Sequence, residues 1–99
     1  MYQYILEPRA QQEYENSIEW YGIESDELAL KFIESIDSVI NLICKQPLQF
    51  KIGYKNFHEA YAKKFPFAII YTVDESKKLI VILSVFHHKR NPKKKYKLK

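Results

Sequence analysis

The chain has 99 residues, 46% of them hydrophobic and 15% aromatic, and a formal net charge of +4. That length and composition suit one small domain with a packed core and exclude global disorder. A single cysteine, Cys44, excludes an intrachain disulfide and a cysteine metal cluster; with no transmembrane-length apolar run and no basic-then-apolar start, a cytoplasmic protein without a signal peptide is expected.

The first residues, "YQYILE", alternate, with Tyr2, Tyr4 and Leu6 on one face, and predict a short strand. Pro8 stands where a helix commonly begins, because its missing N–H is not needed there. Ala10, Tyr14, Ile18 and Tyr21 recur at helical spacing, so a helix is expected over 8–21, ended by Gly22. "GIES" then reads as a tight connection. Ser25 is the N-cap of a second helix whose first turn holds Asp26 and Glu27, at the positive end of its dipole. In that helix Leu28, Ala29, Phe32, Ile33, Ile36, Val39, Ile40, Ile43 and Cys44 form one stripe, and Pro47 stops it.

The second half reads as strands. "NFHEAYAKKF" (56–65) partly alternates and predicts a second strand, with Phe57, Tyr61 and Phe65 on one face. "FAIIYTVD" (67–74) is β-branched and aromatic, "ESKK" is a turn, and "LIVILSVF" (79–86) has the near-continuous apolarity of a strand buried on both faces. The order is β-α-α-β-β-β, an α+β fold. A helical hairpin packs on one face of a small, mainly antiparallel, twisted sheet that the first strand joins. One domain spans 1–99, with a basic tail over about 92–99.

Charge divides unevenly along this order. Residues 1–49 carry three basic and nine acidic side chains, a net of −6; residues 50–99 carry thirteen and three, a net of +10. So lopsided a field favours an anionic partner. His87 and His88 follow directly on the apolar strand. A histidine there serves as a general acid or base, or simply faces solvent. Arg90 offers a rigid fork for phosphate or carboxylate, and a salt bridge to Asp74 or Glu75 is the plainer use. Lys93, Lys94 and Lys95 beside Tyr96 suit a polyanion, with Lys63, Lys64 and Lys89 adding cation density; a solubilising end is the alternative for the last residues. No phosphate loop, dinucleotide fingerprint or nucleophile elbow is present, and the three histidines lack companions at metal-site spacing. No metal and no cofactor is expected.

The run "KKFPFAIIYTVD" followed by "LIVILSVFHHKRNP" resembles the RelE/ParE family of type II toxin–antitoxin toxins. Pro66, Phe67, Tyr71, Asp74, Val85, His87, Arg90 and Pro92 match its pattern, as do Pro8 and Ala10 at the first helix and Pro47 after the second. The resemblance covers nearly the whole chain. It implies a bacterial toxin held inactive by a cognate antitoxin with an acidic or amphipathic binding segment. RelE-like members cleave mRNA in the ribosome without a metal, using Lys and Arg with a Tyr or His; ParE-like members poison DNA gyrase. Ala68 and His58 stand where RelE-like nucleases and many relatives carry arginine, and Phe67 replaces a tyrosine. The six-residue spacing of Arg90 and Tyr96 resembles the nuclease branch. One well-placed cation is worth about 3–4 kcal/mol to a transition state, so its loss at Ala68 favours the gyrase-type expectation over the ribonuclease. On this reading His87, Arg90 and Tyr96 touch the target or catalyse, and Lys63, Lys64, His88, Lys89, Lys93, Lys94 and Lys95 bind it. A small nucleic-acid-binding module is the further alternative, explaining the charge but not the family spacing.

Overall fold

A computed structural model describes residues 1–53 and 55–89. Its elements are β1 (Gln3–Leu6), α1 (Pro8–Glu24), α2 (Asp26–Lys45), β2 (His58–Tyr61), β3 (Phe67–Asp74) and β4 (Leu79–His87), in the expected order. The tail expected over 92–99 lies outside the described residues. Among those described, no helix is long and apolar enough to cross a membrane.

Pro8 opens α1 as expected, but Gly22 does not close it. The helix runs on to Glu24, since one interior glycine costs only about 1 kcal/mol relative to alanine, a loss that packing against α2 outweighs. A single residue, Ser25, makes the connection. Its N–H donates to Tyr21 O at 3.1 Å, ending α1, and its Oγ accepts from Leu28 N at 3.0 Å, starting α2. Ser25 is therefore the N-cap the sequence predicts.

The stripe of α2 is buried as expected: Phe32, Ile36, Val39, Ile40, Ile43 and Cys44 join Ala10 and Tyr21 of α1 over one face of the sheet. That face presents Ala60, Phe67, Ile69, Tyr71, Ile80, Ile82 and Val85. At the hairpin tip an aromatic knot closes the core. The Phe32 ring lies 5.1 Å from Tyr21, 4.8 Å from Phe67 and 5.4 Å from Phe65. Each such pair contributes about 0.5–1.5 kcal/mol beyond the area it buries.

The sheet order is β1-β4-β3-β2. β4 and β3 pair antiparallel, as do β3 and β2, while β1 lies parallel to β4 at one edge, with Leu6 opposite Ile82. Two strand expectations change. The second strand is only His58–Tyr61, not 56–65; Phe57 precedes it, Phe65 belongs to the aromatic knot, and the three aromatics do not share a strand face. Nor is β4 buried on both faces throughout. Leu79, Val81 and Leu83 are half-buried and alternate with buried Ile80 and Ile82, and burial becomes continuous only over Ser84, Val85 and Phe86.

A bulge marks the change. Ile70 is opposite Ser84 and Tyr71 opposite Ile82, so Leu83 has no residue across from it on β3. Past the bulge, Val85 takes over the helix-facing role that alternation would have given Ser84. Beyond Leu6 the outer edge of β4 has left β1 behind, and Glu13 of α1 meets it. Its Oε1 accepts from Val85 N at 2.9 Å and from Ser84 Oγ at 2.7 Å, while Oε2 meets Arg9 Nε at 3.1 Å.

At the other end, Asp74 organises the β3–β4 turn by accepting from Ser76 Oγ at 2.8 Å and Lys77 N at 3.2 Å. The Ser76 hydroxyl, then the Lys77 amide, hold its carboxyl below the usual carboxylate range.

Ile36 is fully buried at the centre of the helix–sheet interface. Ile36→Ala is expected to cost about 2–5 kcal/mol, read as a lowered urea midpoint at constant slope. An unchanged midpoint contradicts this packing.

Candidate functional site

β3 begins and β4 ends at the same edge of the molecule, and the candidate residues among those described gather there. The β2–β3 connection is short and tied down. Phe67 N donates to Phe65 O at 2.8 Å across Pro66, a three-residue turn that proline's fixed φ favours. Ala62 N donates to Phe67 O at 2.9 Å. Phe65 is held edge-on against Tyr21, 5.1 Å between centroids. These contacts fix the segment that displays Lys63 and Lys64, both exposed.

The end of β4 is brought to the same connection: His88 N donates to Pro66 O at 3.0 Å. His87 and His88 face opposite ways, as alternation requires. His87 sits across from Phe67 on the helix side, half-buried, its ring 4.9 Å from that phenyl in an edge contact. His88 lies on the other side, its ring 5.4 Å from Tyr61. Lys89 is exposed beside it. So the structure brings His88, Lys63 and Lys64 to one rim and half-buries His87 beside Phe67. Arg90, Lys93, Lys94, Lys95 and Tyr96 lie outside the described residues.

Three residues of this region were not singled out by sequence as one group: Lys51, Glu59 and Tyr61. Glu59 is 3% exposed, a costly place for a carboxylate without partners. Tyr61 Oη donates to its Oε1 at 2.9 Å, and Lys51 Nζ approaches the same oxygen at 3.7 Å. Lys51 Nζ also stands 5.4 Å from the Tyr61 ring centroid. The signal in the sequence was Glu59 and Tyr61 two apart on a strand, hence on one face. Lys51 carried no signal, because the loop that places it was not predictable.

That loop is pinned to the core by β2 and β3. His58 is buried, not displayed: it stacks on Tyr71 at 5.1 Å and 14°, with Nδ1 3.0 Å from Phe50 O. Tyr71 Oη donates to Pro47 O at 2.5 Å, and burial pushes its phenol well above the ordinary tyrosine range. Glu59 N reaches Lys51 O at 2.9 Å. His58 therefore holds the loop and does not reach the rim.

The sheet face away from the helices is apolar at its centre. Ala68, Ile70 and Phe86 are buried there with Ser84, and Tyr61 stands opposite Ala68. No cation of the described residues stands in that row.

A helical hairpin on one face of a four-stranded mixed sheet is the fold that the resemblance to the RelE/ParE toxins implies. Residues 4–92 match the family described as the ParE toxin of the type II toxin–antitoxin system parDE. The chain belongs to that ParE toxin family. Its fold is similar to that of a chain in the solved structure of a chromosomal ParDE TA system from P. aeruginosa, with a TM-score of 0.73 at 18% identity, covering 86% of this chain and 94% of that one. No curated protein matches the chain in sequence.

The partners of Glu59 give a ranking to test. Tyr61→Phe removes a donor from a buried carboxylate and is expected to cost about 1–3 kcal/mol in urea denaturation. Lys51→Ala is expected to cost less than about 1 kcal/mol, because its side chain is 65% exposed and the pair is screened by water. The reverse order means that the ion pair, not the phenol, holds Glu59.

Proposed function

We propose that this chain is a growth-inhibiting toxin of the bacterial cytoplasm that binds DNA gyrase and is neutralised by a cognate antitoxin. What supports the reading is membership of the ParE family over residues 4–92. Where the ribonucleases of the wider family carry an arginine, Ala68 is 0% exposed and offers no charge to a phosphodiester transition state. Tyr61, the phenol opposite Ala68, already donates its proton to Glu59, an arrangement that orients a ring for contact.

In this proposal His88, Lys63, Lys64 and Lys89 meet the target, together with Arg90, Tyr96 and Lys93, Lys94 and Lys95 of the tail. Strand ends and short, pinned turns hold such groups at low entropic cost, whereas each unanchored lysine loses up to about 2 kcal/mol of side-chain entropy on contact. His87, packed on Phe67, sets the height of the strand end and contributes a ring edge.

Inducible expression in a bacterium with metabolic labelling tests this reading. Early loss of thymidine incorporation with filamentation is expected, and inhibition of supercoiling by purified gyrase is expected in vitro. Prompt loss of amino-acid incorporation, with mRNA cut on ribosomes and both effects abolished by His87→Ala or Tyr96→Phe, replaces gyrase with the ribosome.

A further inference from the structure

The sheet has two outer edges, and the chain treats them differently. Outside β2 it folds back on itself: Glu59 N donates to Lys51 O at 2.9 Å, Gly53 N donates to Phe57 O at 2.8 Å, and Ile52 bridges His58. Outside β1 no further strand follows among the described residues. Gln3 N donates to Lys78 O at 3.1 Å and Glu7 N to Ile82 O at 2.9 Å, so the odd-numbered residues of β1 face β4. By alternation the N–H and C=O of Tyr4 and Leu6 point outward. Tyr2 N, on the same side, already donates to Cys44 O at 3.0 Å. An open edge is normally guarded by a charge or a proline. Residues 1–6 have neither, although residues 1–49 hold nine acids, and Tyr4 and Ile5 are 44% and 48% exposed.

We propose that two copies of the chain join edge to edge through β1, antiparallel about a two-fold axis at Ile5, in a weak homodimer. The inference goes beyond the toxin reading and does not depend on it. The hydrogen-bonding pattern selects the register. Antiparallel partners exchange both bonds only where the two residues point at each other. Setting Tyr4 opposite Leu6 of the second copy pairs the outward N–H and C=O of both residues, at two symmetric places. An axis at Tyr4 would instead set Leu6 against Tyr2, whose N–H is taken.

The side chains agree with that register. Ile5 meets Ile5 of the second copy on the face away from the helices, in a non-hydrogen-bonded pair, where side chains lie closest. Tyr4 comes beside Leu6 of the second copy on the helix side. Gln3 falls opposite Glu7 of the second copy, an amide beside a carboxylate, so no like charges face each other across the strands. The rest of residues 1–49 is acidic and repels its own copy; β1 is the stretch that does not. Because β4 runs parallel to β1, the two rims lie at opposite ends of the joined sheet. So short a strand pair buries far less than the roughly 1,600 Å² of a standard interface, and a Kd of about 10–100 μM is expected.

Sedimentation equilibrium of the whole chain from about 5 to 500 μM reads that association. The mass is expected to double across the range, and the amides of Tyr4 and Leu6 to exchange more slowly as concentration rises. Ile5→Lys, at an exposed position, is expected to weaken the dimer roughly tenfold or more. A second variant does not rely on disruption. In a Cys44→Ser background, Ile5→Cys places two thiols on the axis, with Cα atoms about 4.5 Å apart, within reach of a disulfide. It is expected to form a covalent dimer in oxidised glutathione. Gln3→Cys, whose copies lie about 13 Å apart along the strands, is not. A chain that stays monomeric at about 500 μM overturns the proposal and leaves the edge to a strand of another protein. A dimer untouched by Ile5→Lys overturns it too, by placing the contact elsewhere. So does Gln3→Cys linking as readily as Ile5→Cys, or exchange at Tyr4 and Leu6 that ignores concentration.

Discussion

Strand β4 lies inside the sheet for its whole length, yet its outer edge has two different partners. β1 pairs with it from Leu79 to Ile82 and then turns away at Glu7. From there a backbone N–H with no mate would cost about 1–3 kcal/mol if buried. Glu13 supplies the mate, accepting from both Val85 N and Ser84 Oγ one and a half helical turns into α1. A helix side chain thus continues the ladder past the bulge at Leu83. The bulge is what makes a side chain suitable, because it twists the strand out of the plane in which another strand would pair.

The rim depends on that arrangement. With Val85 held by α1, the strand continues in register to His87 opposite Phe67, and His88 reaches Pro66. Pro66 belongs to the turn that displays Lys63 and Lys64 and inserts Phe65 between the helices and the sheet. One short polar contact therefore links α1, the end of β4 and the cationic turn. The same turn lines the cleft beside α2, where Lys63, Lys64 and Phe65 stand with Val39 and Leu42. On the sheet face away from the helices the central row, Ala68, Ile70 and Phe86, is apolar and buried, and it holds no charged side chain.

Much of this was legible in the sequence. The α2 stripe, Pro8 at the start of α1, Ser25 as a cap, the β3 and β4 runs and the element order all follow from periodicity and local chemistry, which act over a few residues. Gly22 misled because a glycine is a weak stop when the next helix packs closely against it; a Cβ built there would meet Ala29 Cβ at an ordinary 3.9 Å. The length of β2 misled because a phenylalanine reads the same whether it lines a strand or, like Phe65, plugs a core from a turn. The bulge at Leu83 left no trace, since residues 79–83 are all apolar and a slip of face changes nothing in the pattern. His58, which stands where many relatives carry an arginine, is a buried ring stacked on Tyr71, a contact set by the β2–β3 register. Glu59 with Tyr61 was visible as a same-face pair. Lys51, eight residues before Glu59, required the loop.

The central claim is that Glu13 holds the end of β4 and, through it, the rim. Native-state hydrogen exchange in the Glu13→Ala chain tests it most directly. The account predicts a local loss of protection at Val85 and His88, while the amides of residues 79–82, secured by β1 and β3, keep theirs. Equal loss along the whole of β4, or full protection retained at Val85, would contradict it.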